Sequence, residues 1–205
     1  MASARVERFF RQRMVRNYDR LMAPLERRAF REARARLVPK AEGRVLEIGA
    51  GTGANFAFYG PEARLVVASD PEAGMLSQAA SRGAAARVVL VAASAEALPF
   101  PDRAFDCAVA TLVLCTVARP LVALAEIRRV LRPGGRVYLL EHVRSRASIL
   151  GAVQDVLTPA QRVVAAGCHL NRATPLLVER AGLTLTSVRE RFAATVVEME
   201  AERAS

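Results

Sequence analysis

Apolar and polar positions follow two different periods along the chain. Within residues 4–38, Val6, Phe9, Phe10, Met14, Tyr18, Leu21 and Met22 recur at three- and four-residue steps, one stripe of one or two helices. Pro24 is expected to divide that segment and Pro39 to end it, since proline suits a helix start and not a helix interior. Strands and helices then alternate. Short apolar runs at Arg44–Ile48, Arg64–Ser69 and Arg87–Val91 read as strands, and Thr52 is placed to cap a helix after the first. Phe105–Leu112 is almost continuously apolar, as in a central parallel strand buried on both faces. Helices are expected at Glu72–Ser81, Pro120–Leu131 and Pro175–Ala181. Pro133-Gly134-Gly135 reads as a turn into the strand Arg136–Val143, and Leu183–Arg191 and Thr195–Met199 complete seven strands. This rhythm predicts an α/β fold, a mostly parallel sheet with helices on both faces. Residues 144–172 break it, with a helix around Ile149–Val164 that Pro159 should interrupt, and read as an insertion capping a ligand site.

Length and composition narrow the function classes. A chain of 205 residues, 52% hydrophobic and 24% charged, is one globular domain. We divide it into an N-terminal helical lid (1–43), a ligand-binding core (44–143), the cap (144–172) and a C-terminal helix with two strands (173–205). The three cysteines, Cys107, Cys115 and Cys168, are too few and too scattered for a disulfide framework and suggest a reducing, cytoplasmic setting. No metal-ligand spacing appears along the chain, and with two histidines no metal is expected. The longest apolar stretch, Cys107–Ala118, is too short to span a bilayer, and the arginine-rich start has no signal-peptide core. Residues 1–44 carry thirteen Lys/Arg against five Asp/Glu, so +8 of the net +10 lies in the first fifth of the chain. A solvated helix face explains this most simply. Peripheral contact between that basic helix and an anionic membrane is the alternative.

The chemistry begins at VLEIGAGTG, residues 45–53. Gly49, Gly51 and Gly53 let the backbone turn sharply and approach a ligand closely, and a helix starting near Gly53 would aim its free N–H groups at it. Alone this is a weak signal, shared with dinucleotide sites. Two acids sharpen it. Asp70 ends the next strand, where a carboxylate can accept from a ribose diol. Glu47 lies inside the loop motif, where it would repel a pyrophosphate but attract an ammonium group. An amino acid joined to a nucleoside satisfies both, and S-adenosyl-L-methionine is such a molecule.

With these residues the chain resembles the class I S-adenosylmethionine-dependent methyltransferases. The matching strings come in that family's order: VLEIGAGTG (45–53), SDPEAGML (69–76), ASAEALPFPDRAFDCAVA (93–110) and EIRRVLRPGGRVYLLEHV (126–143). GAGTGANFAFY (49–59), TLVLCTV (111–117), LRPGGRVYLLEHV (131–143) and AAGCHLNRAT (165–174) are similar to the thiol-methyltransferase branch called methyltransferase-like 7 proteins in animals. The animal members carry an apolar N-terminal membrane segment, whereas the N-terminal stretch here reads as a basic helix. The resemblance implies a Rossmann-like seven-stranded fold, S-adenosyl-L-methionine as cofactor and S-adenosyl-L-homocysteine as product. It implies that Glu47, Gly49, Ala50, Gly51 and Gly53 hold the methionyl end. Asp70 would hold the ribose, Pro71 and Met75 would pack on adenine, and Ser94, Ala95 and Glu96 would line the adenine edge. Many relatives have Asp where Ser94 stands. Thr111 and Leu112 would lie beneath the methyl group, and Tyr18, in a "YD" element with Asp19, would close over the cofactor.

The reading is methyl transfer to the sulfur of a small, rather apolar thiol, which needs little activation because a few per cent is thiolate at neutral pH. His142, at the C-terminal end of the fifth strand, is the base candidate, and Glu141 should point to the opposite face. Asp155, Gln161, Cys168 and His169 are candidate substrate contacts in the cap, with Cys168 otherwise read as an inert thiol. Cys107 and Cys115 read as apolar packing residues. The alternatives are an O-, N- or C-methyltransferase of a quinone, phospholipid headgroup or secondary metabolite, or an RNA methyltransferase. Nucleic acid is the less expected partner, because the segment after the fourth strand is apolar and aromatic residues make up only 5%. The sequence carries no signal of oligomeric state.

Overall fold

The computed structural model describes residues 15–204 apart from Ala85 and Ala166. The expected helical positions Val6, Phe9, Phe10 and Met14 lie outside the described residues. Helix α1 (residues 15–25) passes through Pro24 and runs into a π-helical turn, Glu26–Phe30, then α2 (Arg31–Leu37). The proline therefore does not divide the segment as expected. The ladder widens immediately after it and the axis carries on, a usual way for a helix to absorb such a defect. This turn buries Ala29 and Phe30, and α2 buries Ala33, Arg34 and Leu37.

The strands are β1 (Gly43–Ile48), β2 (Ala63–Asp70), β3 (Val88–Ala92), β4 (Phe105–Thr111), β5 (Leu131–His142), β6 (Leu183–Arg191) and β7 (Val196–Arg203). They form one seven-stranded sheet in the order β3-β2-β1-β4-β5-β7-β6, parallel through β5 and antiparallel at β7 and β6. Pro133-Gly134-Gly135 falls inside β5 rather than before it. Leu131 pairs with Phe105, the register slips, and pairing resumes at Arg136 opposite Cys107, so the expected turn is an excursion within one strand. Side chains alternate between two cores. Leu46, Ala108 and Leu139 pack with α4 (Pro120–Val130) and with Val178 of α6 (Thr174–Arg180). Val45, Val109, Tyr138 and Leu140 pack with Phe30, Ala33, Leu37 and Ala79 of α3 (Ala73–Ala79). The order changes direction beside β1, so a crevice opens at the carboxyl ends of β1 and β4, where open α/β sheets bind ligands.

Helix α5 (Ser148–Val164), in the segment expected to cap the site, continues through Pro159 instead of breaking there. Pro159 is exposed, so the carbonyl it leaves unbonded can meet water. The helix faces the molecule with Gly151, Gln154 and Thr158 and turns Ile149 and Val156, 81% and 78% exposed, outward. Gln154 tethers it, accepting from Ser145 N–H at 2.7 Å and donating to the carbonyls of Val143 and Leu170. Among the described residues no helix is long and apolar enough to cross a membrane.

Candidate active site

The glycine loop follows β1 with Gly49, Gly51 and Gly53 all at positive φ. A Cβ on Gly49 would lie 2.4 Å from Val113 Cγ2, and one on Gly53 would lie 2.7 Å from the Phe56 ring, so both are required by packing. Gly51 differs. Its added Cβ would meet only a carbonyl oxygen at 4.0 Å, which leaves an open cradle over that residue. The α-helix expected from Gly53 is absent. Residues 51–55 are turns, followed by a single 3-10 turn, Phe56–Phe58. The left-handed φ at Gly53 interrupts a helix before it starts, and Gly60-Pro61 leaves no length to begin another. Thr52 accordingly caps no helix; its hydroxyl donates to Asp19 of α1 at 2.6 Å.

Asp70 shapes the loop from the end of β2. Its two oxygens accept from Gly51 N–H at 2.9 Å and Glu72 N–H at 2.8 Å. Glu47 is buried beneath the loop, accepting from Asn55 Nδ2 at 3.0 Å and the Tyr59 hydroxyl at 2.8 Å. Burial pushes its carboxyl up to about 7, against the pull of Tyr59, Asn55 and the Arg34 charge. Arg34, only 5% exposed, comes in from α2. Its Nη1 donates to Asn55 Oδ1 and Thr111 Oγ1, each at 2.6 Å, and its Nε pairs with Glu26 at 3.0 Å. Sequence reasoning missed Arg34, Asn55 and Tyr59. Arg34 is one arginine among many in a basic helix, and its only sequence signal is that it falls on the apolar stripe beside Phe30 and Leu37.

The remaining expected residues divide. Tyr18 lines a cavity of about 190 Å³ with Asp19, Met22, Arg34, Ala54 and Arg82, where α1 and α2 meet the glycine loop. Ala50, Met75 and Ala95 are buried, while Pro71 and Ser94 are exposed. The Glu96 carboxylate is committed to Arg119, accepting from its backbone N–H at 2.9 Å and its Nε at 2.8 Å. Thr111 ends β4 in contact with Arg34, and Leu112 follows at φ +61°, its N–H donating to Leu140 O. Asp155 binds Arg144 and Asn171 on the exposed side of the cap, so it fastens the cap instead of facing a ligand. Gln161 is half-buried on α5, and its carbonyl accepts from Ala165 N–H.

The other end of the crevice is built from three distant segments. Glu141, fully buried, accepts from the N–H groups of Val113, Leu114 and Cys115 at 2.8–3.0 Å and fixes the loop after β4. Burial raises its carboxyl to about 7 despite those three donors. His142, next along β5, lies with Nδ1 3.7 Å from Cys168 Sγ, its ring edge against Phe30. Cys168 Sγ is in turn 3.8 Å from Cys115 Sγ. Cys168, read from the sequence as inert, thus lies between a second thiol and an imidazole. The Cys115 thiol and then His142 hold it well below the usual thiol range, while Cys115 is pushed up. His169 Nδ1 is 3.2 Å from Cys115 O and 3.1 Å from Arg172, whose guanidinium also binds Leu114 O.

This geometry can be set beside known proteins. A methyltransferase-domain family matches residues 46–139. Human thiol S-methyltransferase TMT1A is 36% identical over 182 residues, 86% of this chain and 74% of its own length. The chain belongs to the class I S-adenosylmethionine-dependent methyltransferases. The ubiquinone/menaquinone biosynthesis C-methyltransferase UbiE of Hahella chejuensis is 39% identical over 125 residues, 57% of this chain and 50% of its own. Among solved structures, a methyltransferase from Thermotoga maritima matches with a TM-score of 0.67 at 24% identity, covering 95% of this chain and 98% of that one. The fold and the class of enzyme read from the sequence are thus established, with S-adenosylmethionine as the cofactor. The residues present fit it: the open cradle at Gly51, Asp70 bonded to that residue's N–H, and the buried Glu47 carboxyl and Arg34 guanidinium, which both reach Asn55, offer partners to a sugar, an ammonium and a carboxylate.

Proposed function

We propose that this methyltransferase acts on the sulfur of a small, rather apolar thiol. One observation carries the reading. A contiguous match to TMT1A covering 86% of the chain has to contain all of residues 144–172, the cap that closes the acceptor end, whereas the UbiE match covers 57%. The name of that relative, thiol S-methyltransferase, is therefore attached to a likeness that includes the acceptor side.

Glu47 and Arg34 would hold the ammonium and carboxylate of the methionyl end, and Asp70 the ribose. Bound there, the cofactor supplies an electrophilic methyl on a sulfonium whose leaving group needs no protonation. The chain's task is then alignment, exclusion of water and removal of one proton. Leu112 and the buried loop after β4 give the acceptor an apolar floor. The His142 imidazole stands at its edge, where it can take a thiol proton. Arg172 adds positive charge beside the sulfur cluster, which favours a thiolate.

The test is a methyl-transfer screen with purified protein over alkyl thiols, phenols, amines, a ubiquinone precursor and RNA, following S-adenosylhomocysteine. Alkyl thiols should turn over fastest. Product from phenols or quinones with none from thiols would overturn the assignment. Loss of turnover in His142→Ala with unchanged cofactor affinity would support its role as proton acceptor.

A further inference from the structure

The cluster at the acceptor end has a composition the reaction alone does not require. Two cysteines and a histidine come from the loop after β4, the end of β5 and the segment after the cap helix. One donor atom from each lies within 4.8 Å of the others. Neither sulfur is in a disulfide, and both are buried. Spacing along the chain hid this group, because 27 and 26 residues separate the three donors.

Two of the three edges match a coordination shell, and the third pair, Cys115 with His142, lies within 4.8 Å and would draw in on binding. A tetrahedral zinc ion with bonds of about 2.3 Å to sulfur and about 2.0 Å to nitrogen has S···S edges near 3.8 Å and S···N edges near 3.6 Å. Here the sulfurs are 3.8 Å apart and Cys168 Sγ is 3.7 Å from His142 Nδ1. A disulfide would require the sulfurs to close to about 2.05 Å. The charges also suit the place. Two thiolates, a neutral imidazole and a divalent ion sum to zero, so burial carries no net-charge penalty. The donors are preorganised: Cys115 is clamped by Glu141 at its N–H (3.0 Å) and by His169 N–H at its carbonyl (2.8 Å). The His142 ring rests edge-on against Phe30.

We infer that Cys115, His142 and Cys168 form a three-donor zinc site at the acceptor end of the crevice. Three protein donors leave one tetrahedral position for water or substrate, the pattern of reactive zinc sites, whereas structural sites are closed by a fourth side chain. Resting here on the thiol reading above, the fourth ligand is the acceptor. Its S–H bond breaks, the proton leaves to solvent, and the sulfur replaces the bound water on zinc as a thiolate. Zinc then activates the acceptor, and His142 is its ligand in the metal-loaded protein, while in the metal-free protein the same imidazole is the proton acceptor proposed above.

The experiment uses full-length protein, reduced with a phosphine, stripped with a chelator and titrated with Co²⁺ and Zn²⁺. Wild type should bind one equivalent and show the thiolate-to-cobalt absorption of a tetrahedral site. Cys115→Ser and Cys168→Ser should each bind at least tenfold more weakly, while Cys107→Ala, in the body of β4, should bind like wild type. Without any variant, Zn²⁺ should protect Cys115 and Cys168 of the wild type from alkylation, read by mass spectrometry. Adding an alkyl thiol should shift the cobalt spectrum. Wild type that binds no more Co²⁺ than Cys115→Ser, or thiols that Zn²⁺ does not protect, would overturn the site. Thiol turnover without metal binding sinks the zinc site and spares the thiol reading. Metal binding without thiol turnover does the reverse.

Discussion

Glu47 and Glu141 are two buried carboxyls at corresponding places, near the ends of β1 and β5, and burial raises both to about 7. They differ in what surrounds them. Glu141 accepts from three backbone N–H groups of one loop, so its acceptor capacity is spent on the fold. Glu47 accepts from two side chains, Asn55 and Tyr59, with Arg34 close by and the open cradle of Gly51 above. Equal burial and equal perturbation thus accompany a loop-fixing role at one and, as proposed above, a ligand-facing role at the other. The identity of the donors separates them, because backbone donors fix a loop and side-chain donors can regroup around a ligand.

The sharpest way to break this comparison is Glu141→Ala. It strands three buried N–H groups and should cost about 4 kcal/mol of unfolding free energy, read by urea denaturation. A loss below about 1 kcal/mol would mean the loop does not depend on that carboxylate. Next is pH. Between about pH 7 and 4.5 the folded chain keeps protons on both carboxyls that the unfolded chain has released. Stability should therefore rise on acidification through that window, by as much as about 3 kcal/mol per group, and fall as pH climbs back toward 7. Saturating S-adenosylmethionine should remove the Glu47 share by favouring its ionised form, while leaving the Glu141 share. Glu47→Gln and Glu141→Gln, melted across that range, assign the two. Asp70→Ala should weaken cofactor binding by about 2 kcal/mol, some thirtyfold by calorimetry, while leaving denaturation within about 1 kcal/mol. A similarly small effect on stability is expected of Gly51→Ala. Its left-handed φ should cost about 1 kcal/mol, and nothing in the protein crowds the new methyl. A larger loss in cofactor affinity than in stability would show that the cradle is kept clear for a ligand.

The sequence shows most of this architecture where a signal is local. β6 appears at Leu183–Arg191 because alternation and its flanking turns are contiguous, and β4 appears because a strand buried on both faces is apolar almost throughout, Asp106 being the break. Glu47 and Asp70 are legible because each breaks or ends an apolar run beside a glycine loop. Three features are not legible, each for a stated reason. The helix after the loop fails because Gly53 adopts a left-handed φ, which a sequence permits but does not demand. The helices run on through Pro24 and Pro159 because one missing hydrogen bond can be absorbed by a π turn or by solvent. Arg34 and the Cys115–His142–Cys168 cluster depend on contacts between segments far apart in the chain, which no periodicity encodes.

Leu112 carries a consequence for altering what this enzyme accepts. Its left-handed backbone is the conformation in which glycine would be at ease, and a branched aliphatic residue there costs about 1 kcal/mol. Trimming position 112 to glycine would relieve that strain but give up the packing of a half-buried leucine against the core of Phe30 and Leu140, a larger loss of about 2 kcal/mol or more. If Leu112 floors the acceptor crevice as proposed above, widening that floor therefore calls for a compensating stabilisation elsewhere in the chain.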